Sequence, residues 1–180
     1  MGKNKRKQIE LEASFGKFSV DSQEEVSFLR WCDEALAKKF ITLDTEFYQP
    51  CSWTLFTGYK VLDKGKWKTK LRPHIYSPDF KLATTDAFRE RFPIAEQKYF
   101  WKVPAATWTY LDIKGRYGVS STRSFPIDQK WVLDKFNVFV GKLIPEDLFA
   151  DTWVPTDERY SPKKHILREK YKTFKTIDEV

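Results

Sequence analysis

Cysteine and histidine each occur only twice in this 180-residue chain. Cys32 and Cys51 are too few for a disulfide framework and lack the paired spacing of a zinc site, which fits a reducing cytoplasm and two buried thiols. There is no His-x-x-x-His pair and no nucleophile elbow, so zinc and serine hydrolases have no support. His74 reads as a hydrogen-bonded surface histidine. No apolar run approaches the roughly 20 residues of a membrane span. The glycines after Lys114 lack Gly-x-Gly-x-x-Gly spacing, and no P-loop is present, which argues against dinucleotide and P-loop nucleotide chemistry.

What is abundant is aromatic and basic. Aromatics make up 17% and hydrophobic residues 41% of the chain, enough for one domain with its own core. Thirty-two Lys and Arg against twenty-five Asp and Glu leave a net charge of +7, which favours an anionic partner such as DNA. The start, Met1-Gly2-Lys3-Asn4-Lys5-Arg6-Lys7, is basic but leads into no apolar segment, so it does not read as a secretory signal. Residues 1–17 are expected as a basic arm with Ile9, Leu11 and Phe15 in a short edge element. Residues 18–155 form the folded domain, and 156–180 a basic tail.

The first strong local signal is Ser22-Gln23-Glu24-Glu25, a capping-box pattern that starts a helix running to about Lys39. On that helix Leu29, Cys32 and Leu36 share a face with Glu25, which therefore points inward; Glu24 lies on the flank and is the alternative. Thr45 to Phe56 reads as extended chain broken at Pro50. Asp63-Lys64-Gly65-Lys66 marks a hairpin tip whose lysines keep it in water. Thr85 caps a short helix over residues 86–91. Gln97 to Lys102 interleaves bases with aromatics, read mainly as core. Pro126 to Phe136 is expected as a helix with Ile127, Trp131, Val132 and Phe136 inward, and Asn137 to Ile144 as a strand.

Two stretches carry the chemistry. Ile75 to Leu82 reads as a strand interrupted by Pro78, and it offers Asp79. Ala106 to Lys114 is a second strand, whose period of two sets Trp108, Tyr110, Asp112 and Lys114 on one face and Thr107, Thr109, Leu111 and Ile113 on the other. A carboxylate and an ammonium thus project side by side from an apolar strand, and buried charges need a partner or a task.

The order of these parts, a helix-borne Glu, then Tyr76-Ser77-Pro78-Asp79-Phe80, then Asp112-Ile113-Lys114-Gly115, resembles the PD-(D/E)xK nuclease superfamily. It looks most like the phage junction-resolving endonuclease I and TnsA-type transposon endonuclease branches, over roughly residues 21–115. The resemblance implies an α/β, restriction-endonuclease-like mixed sheet flanked by helices. It implies Asp79, Asp112, Glu25 and the Ile113 carbonyl around Mg²⁺, with Mn²⁺ as a substitute, and Lys114 as the catalytic amine. Arg72, Arg116, Arg123 and Lys130 are candidate DNA contacts, with Gln129 as the alternative to Lys130 on the helix that can face the site. The implied activity is hydrolysis of DNA phosphodiesters, selective for branched DNA, by a phage or mobile-element enzyme acting in the cytoplasm as a homodimer or with a DNA-targeting partner. A transposon-end or restriction-like nuclease is the nearest rival, and a non-catalytic basic DNA-binding protein the rival from another class.

Overall fold

The computed structural model describes residues 8–116 and 121–180, without the side chains of residues 121–123. Two antiparallel strands, β1 (Ile9–Ala13) and β2 (Gly16–Val20), precede helix α1 (Gln23–Ala37). Ser22 caps α1 from an extended conformation: its Oγ accepts the Glu25 amide at 3.2 Å and donates to Glu25 Oε1 at 2.8 Å. One hydroxyl thus stands in for both halves of a capping box. The buried side of α1 carries Val26, Phe28, Leu29, Trp31, Cys32 and Ala35, a stripe broad enough to hold the helix against a sheet.

That sheet is assembled from β3 (Ile41–Tyr48), β8 (Phe80–Thr84), β9 (Thr109–Ile113) and β10 (Val140–Leu143) in the order β10-β9-β8-β3. Between β3 and β8 the chain forms β4 (Trp53–Phe56), the ribbon β5 (Tyr59–Asp63) and β6 (Lys66–Leu71), and β7 (His74–Tyr76), which pairs with β4. Strand β8 runs antiparallel to both of its neighbours, β3 and β9, whereas β10 is parallel to β9 and reached through helix α4 (Ser121–Phe136). Helices α2 (Asp86–Arg91) and α3 (Pro93–Tyr99) lie between β8 and β9; α5 (Pro145–Asp151) and α6 (Thr156–Arg159) follow β10. The architecture is a mixed α/β fold. Among the described residues no helix is long and apolar enough to cross a membrane.

The two faces of the sheet are covered separately. Phe80, Leu82, Leu111 and Ile113 join the α1 side chains in the main core. Tyr110 packs with Leu55, Phe125, Val132 and Val140 in a second cluster beneath α4. Trp31 is fully buried and stacks on Trp153 at 4.9 Å between ring centroids; each such large side chain contributes about 1.5–3 kcal/mol by leaving water. Tyr99 and Phe100 belong to this core, so the aromatic run around them is a packing feature.

Three expectations differ from what forms. Helix α4 begins at Ser121, with Pro126 inside it; the missing proline amide removes a single bond of the early ladder. The inward positions are then Phe125, Asp128 and Val132, while Ile127, Trp131 and Phe136 are 54%, 42% and 40% exposed. Ile75 to Leu82 divides at Pro78 into β7 and β8, which belong to different sheets. Finally, residues 156–180 are not a loose tail. Tyr171 and Ile177 are buried in the main core, and the Val154 amide donates to the Lys175 carbonyl at 2.9 Å. Phe174 and Val180 pack against the same core, whereas Tyr160 and Ile166 stay exposed.

Candidate active site

Strand register brings Asp79 and Asp112 together. Phe80 lies opposite Leu111 in the antiparallel β8–β9 pair, so the next pair outward is Asp79 and Asp112. The Asp79 amide donates to the Leu111 carbonyl at 2.9 Å, and the Asp79 carbonyl accepts the Gln49 amide at 2.9 Å. Its backbone is thus held from both sides next to a proline that has no amide to offer. Its carboxylate turns toward β9, where Oδ2 accepts the Ile113 amide at 2.7 Å. Burial first, and then the negative charge of Asp112, push the Asp79 carboxyl well above the ordinary carboxylate range, with Lys114 opposing the shift.

The Asp112 side chain is only 3% exposed, and its Oδ1 accepts a hydrogen bond from Lys114 Nζ at 2.7 Å. Its other oxygen, Oδ2, is buried without a hydrogen-bond partner. A buried carboxylate oxygen without a partner is costly; a proton shared with the neighbouring Asp79 carboxyl would satisfy it, and so would a cation. The buried Tyr76 hydroxyl, likewise without a hydrogen-bond partner, is held protonated by burial and by the charges of Asp112, Asp79 and Asp128.

The first turn of α1 forms the facing wall. Glu25 is buried, with Oε1 held by Ser22 and Oε2 3.4 Å from the Tyr48 hydroxyl, whose single proton is shared with the closer Ser19 carbonyl at 3.0 Å. That hydroxyl is kept protonated by burial, then by Glu25, Asp21 and Asp79, which identifies it as a neutral donor set among acids. Glu24 lies over Gly115, where an added Cβ would come within 2.6 Å of Glu24 Oε1. Glu24, Glu25, Asp79, Ile113, Lys114 and Arg116 all line one cavity of about 780 Å³. Its far wall is a buried cluster in which Glu158 is bound by Arg30 and, at 3.1 Å, by Arg168. The cavity therefore opens at the ends of β9 and β10 and the N-terminus of α1, the edge of an α/β sheet where ligands commonly sit.

Among the described residues no three His, Cys, Asp or Glu side chains converge closely enough to cage a metal by themselves. The donor set still suits a hard cation of the Mg²⁺ type, which takes one or two carboxylates and keeps several waters. Asp79 and Asp112 supply those two, and the unclaimed Oδ2 of Asp112 is the observation that favours the fit.

The structure brings four of the expected site residues, Asp79, Asp112, Ile113 and Lys114, into one cluster, and places Glu25 on the cavity wall beside them. Glu24 shares that wall, so both acids of the turn remain in place. Arg116 reaches the rim, paired with Asp147 and lying 3.9 Å from Glu146. Arg72 is exposed just beyond β6, and Lys130 is exposed on α4; neither lines the cavity. The Arg123 side chain lies outside the described residues, as do residues 117–120; the polar stretch Gly115 to Ser124, which reads as a loop in the sequence, enters α4 at Ser121. Gln129 donates to the Val140 carbonyl at 2.7 Å, so it secures α4 to β10 and does not face the site. Tyr48, Tyr76 and the Arg30–Glu158–Arg168 cluster escape a reading of the sequence. Tyr76, three residues before Asp79, carries the only usable hint. His74 is a paired surface histidine, 2.6 Å from Asp128. No family model, curated protein or solved structure matches this chain.

Proposed function

We propose that the chain is a metal-dependent DNA endonuclease of the restriction-endonuclease-like type, and that its preferred substrate is branched DNA. The observation that carries this reading is the Asp79–Asp112 pair, drawn from neighbouring strands into a partly buried site with one carboxylate oxygen unclaimed and an amine alongside. The mixed sheet between α1 and α4, with Pro-Asp entering one strand and Asp-x-Lys ending the next, supports the fold assignment. The branched-DNA preference, a homodimer or a DNA-targeting partner, a phage or mobile-element origin and a cytoplasmic location rest on the family resemblance alone.

Asp79, Asp112 and the Ile113 carbonyl would hold Mg²⁺ or Mn²⁺. When bound, such a cation supplies charge neutralisation at the phosphate and a more acidic water. The remaining work falls to side chains. Lys114 Nζ, held 2.7 Å from Asp112 Oδ1, would orient water or stabilise charge developing on the phosphate. Glu25, fixed by Ser22 and Tyr48, faces the same space and can accept a proton from water. Ile113 holds Asp79 in place through its amide.

The test is incubation of linear, nicked and four-way DNA with Mg²⁺, with EDTA, and with Asp112→Ala. Metal-dependent cleavage that the substitution abolishes is the expected result. Absence of cleavage on every substrate, with DNA binding retained and unaffected by Asp112→Ala, would sink the enzyme. It would leave a non-catalytic DNA-binding protein whose Asp112–Lys114 pair is structural, a reading that the closeness of that pair favours.

A further inference from the structure

The β5–β6 ribbon is a separate two-stranded sheet, and neither strand contributes to the buried cores. Residues 59–72 hold six cations, Lys60, Lys64, Lys66, Lys68, Lys70 and Arg72, against the single acid Asp63, a net +5 out of +7 for the whole chain. Asp63 pairs with Lys68. The other five cations have no acidic partner among the described residues. Large apolar side chains stand in water on the same ribbon: Trp67 is 71% exposed, Leu62 61%, Tyr59 57% and Leu71 57%. Nothing in the fold requires so much charge and apolar surface in one projecting hairpin.

We infer that this ribbon is a groove-binding arm for duplex DNA. Leu62 lies opposite Trp67 and Lys60 opposite Thr69, so these four project from one face. Val61 opposite Lys68 and Asp63 opposite Lys66 project from the other face, and Lys64 sits at the tip. The large apolar Leu62 and Trp67 thus share one face with Lys60, while Lys66, Lys68 and Lys64 place charge on the other face and at the tip. A net charge of +5 on so small an element favours a polyanion as its occupant. A ribbon inside a groove meets phosphates on both walls, and the major groove of B-DNA admits a two-stranded ribbon. Five extended residues span about 16 Å, ample for a groove roughly 8.5 Å deep. Trp67 and Leu62 would then meet sugars, base edges or thymine methyls on one side.

The base of the ribbon is fixed. Gly58 has φ +86°, and a Cβ there would meet the Leu71 carbonyl oxygen at 2.9 Å and the Pro73 nitrogen at 3.0 Å. The two ends of the ribbon approach each other closely where they leave the body, a contact that only glycine permits at this position.

This inference adds a DNA-binding element to the proposed nuclease but does not depend on cleavage. The test is binding of a labelled 20-base-pair duplex by fluorescence anisotropy in EDTA over a series of salt concentrations. In the Lys60, Lys64, Lys66 and Lys70→Gln variant, affinity should fall at least tenfold and the slope of log K against log salt should flatten by about 0.9 for each phosphate that is no longer neutralised. The matching fourfold Lys→Arg variant should keep the wild-type slope. Trp67→Ala should weaken binding with little change of slope. Thermal midpoints should match wild type in all three, because the ribbon lies outside the cores. Wild-type affinity and slope in the glutamine variant would overturn the proposal. So would a loss confined to binding of phosphatidylserine vesicles, or a change in oligomeric state alone. Failure of cleavage in the same protein would touch only the nuclease reading.

Discussion

Lys114 Nζ sits 2.7 Å from one oxygen of Asp112, while the other oxygen of the same carboxylate is buried and unclaimed. The arrangement is only half neutralised, and it stands beside Asp79, whose own ionisation is opposed by burial and by Asp112. An unpartnered buried carboxylate oxygen also occurs at Glu96, so what sets this spot apart is the second carboxylate, Asp79, beside it.

A first prediction follows from Asp79. Its carboxyl is raised in the folded protein above its unfolded value of about 3.9, so the folded state holds the proton more tightly. Stability without divalent metal should therefore decline as pH rises from about 4 through the neutral range, by as much as about 1.4 kcal/mol per pH unit where a single proton is at issue. Asp79→Asn keeps an acceptor for the Ile113 amide and cannot ionise. Urea unfolding in EDTA should show the variant equal to wild type at pH 4 and more stable at pH 8. A variant less stable than wild type at pH 8 would contradict the assigned cause.

Divalent cation should reverse that loss. Mg²⁺ or Mn²⁺ at a hundredfold excess over its dissociation constant stabilises by about 2.7 kcal/mol, and the effect should be larger at pH 8 than at pH 5, because the carboxylates must be ionised to bind. Thermal midpoints with and without metal measure it. Asp112→Ala should show no metal-induced rise; an undiminished rise would place the cation elsewhere.

Much of the site is legible in the chain because its parts are locally encoded. The Ser22 cap fixes the phase of α1 and with it Glu25, and alternation along β9 sets Asp112 apart from Leu111 and Ile113. The pairing of Asp79 with Asp112 needs register, which no local pattern supplies. The phase of α4 is concealed because Pro126 looks like a first-turn residue, whereas Ser121 begins the helix five residues earlier. The C-terminal segment escapes because it docks through isolated side chains, Tyr171 and Ile177, on single 3₁₀ turns that leave no periodic trace. The hairpin at Lys64-Gly65 is plain from its turn residues, but its lysines read as ordinary solvated charge until both faces are known to be open.

Ser22 joins helix start to site, so its removal should separate stability from activity. Ser22→Ala loses the cap, at about 1 kcal/mol, and frees Glu25 Oε1. Tyr48→Phe removes the contact at Oε2 and the hydroxyl's 3.0 Å bond to the Ser19 carbonyl without touching the cap. If Glu25 acts on water, both variants should lower cleavage rate by more than their urea midpoints account for. Cleavage unchanged in both would remove Glu25 from the machinery and leave Glu24, across Gly115, as the acid to test.

The C-terminal residues give a prediction in which a tail and a structural segment differ in sign. Tyr171 is 2% exposed and packs with Phe149 and Phe174 at ring separations of 6.1 and 5.5 Å. Truncating a buried aromatic to alanine costs about 3–5 kcal/mol, so Tyr171→Ala should lower the urea midpoint sharply. The same change in a solvated arm would leave the midpoint where it was. Two of the segment's cations are committed to the fold as well: Arg168 binds Glu158, which Arg30 also holds, and Lys170 binds Glu146. Deleting residues after Thr156 should therefore unfold the protein and not merely flatten the salt dependence of DNA binding. A deletion variant that stays folded, with the wild-type unfolding midpoint, would restore the tail reading.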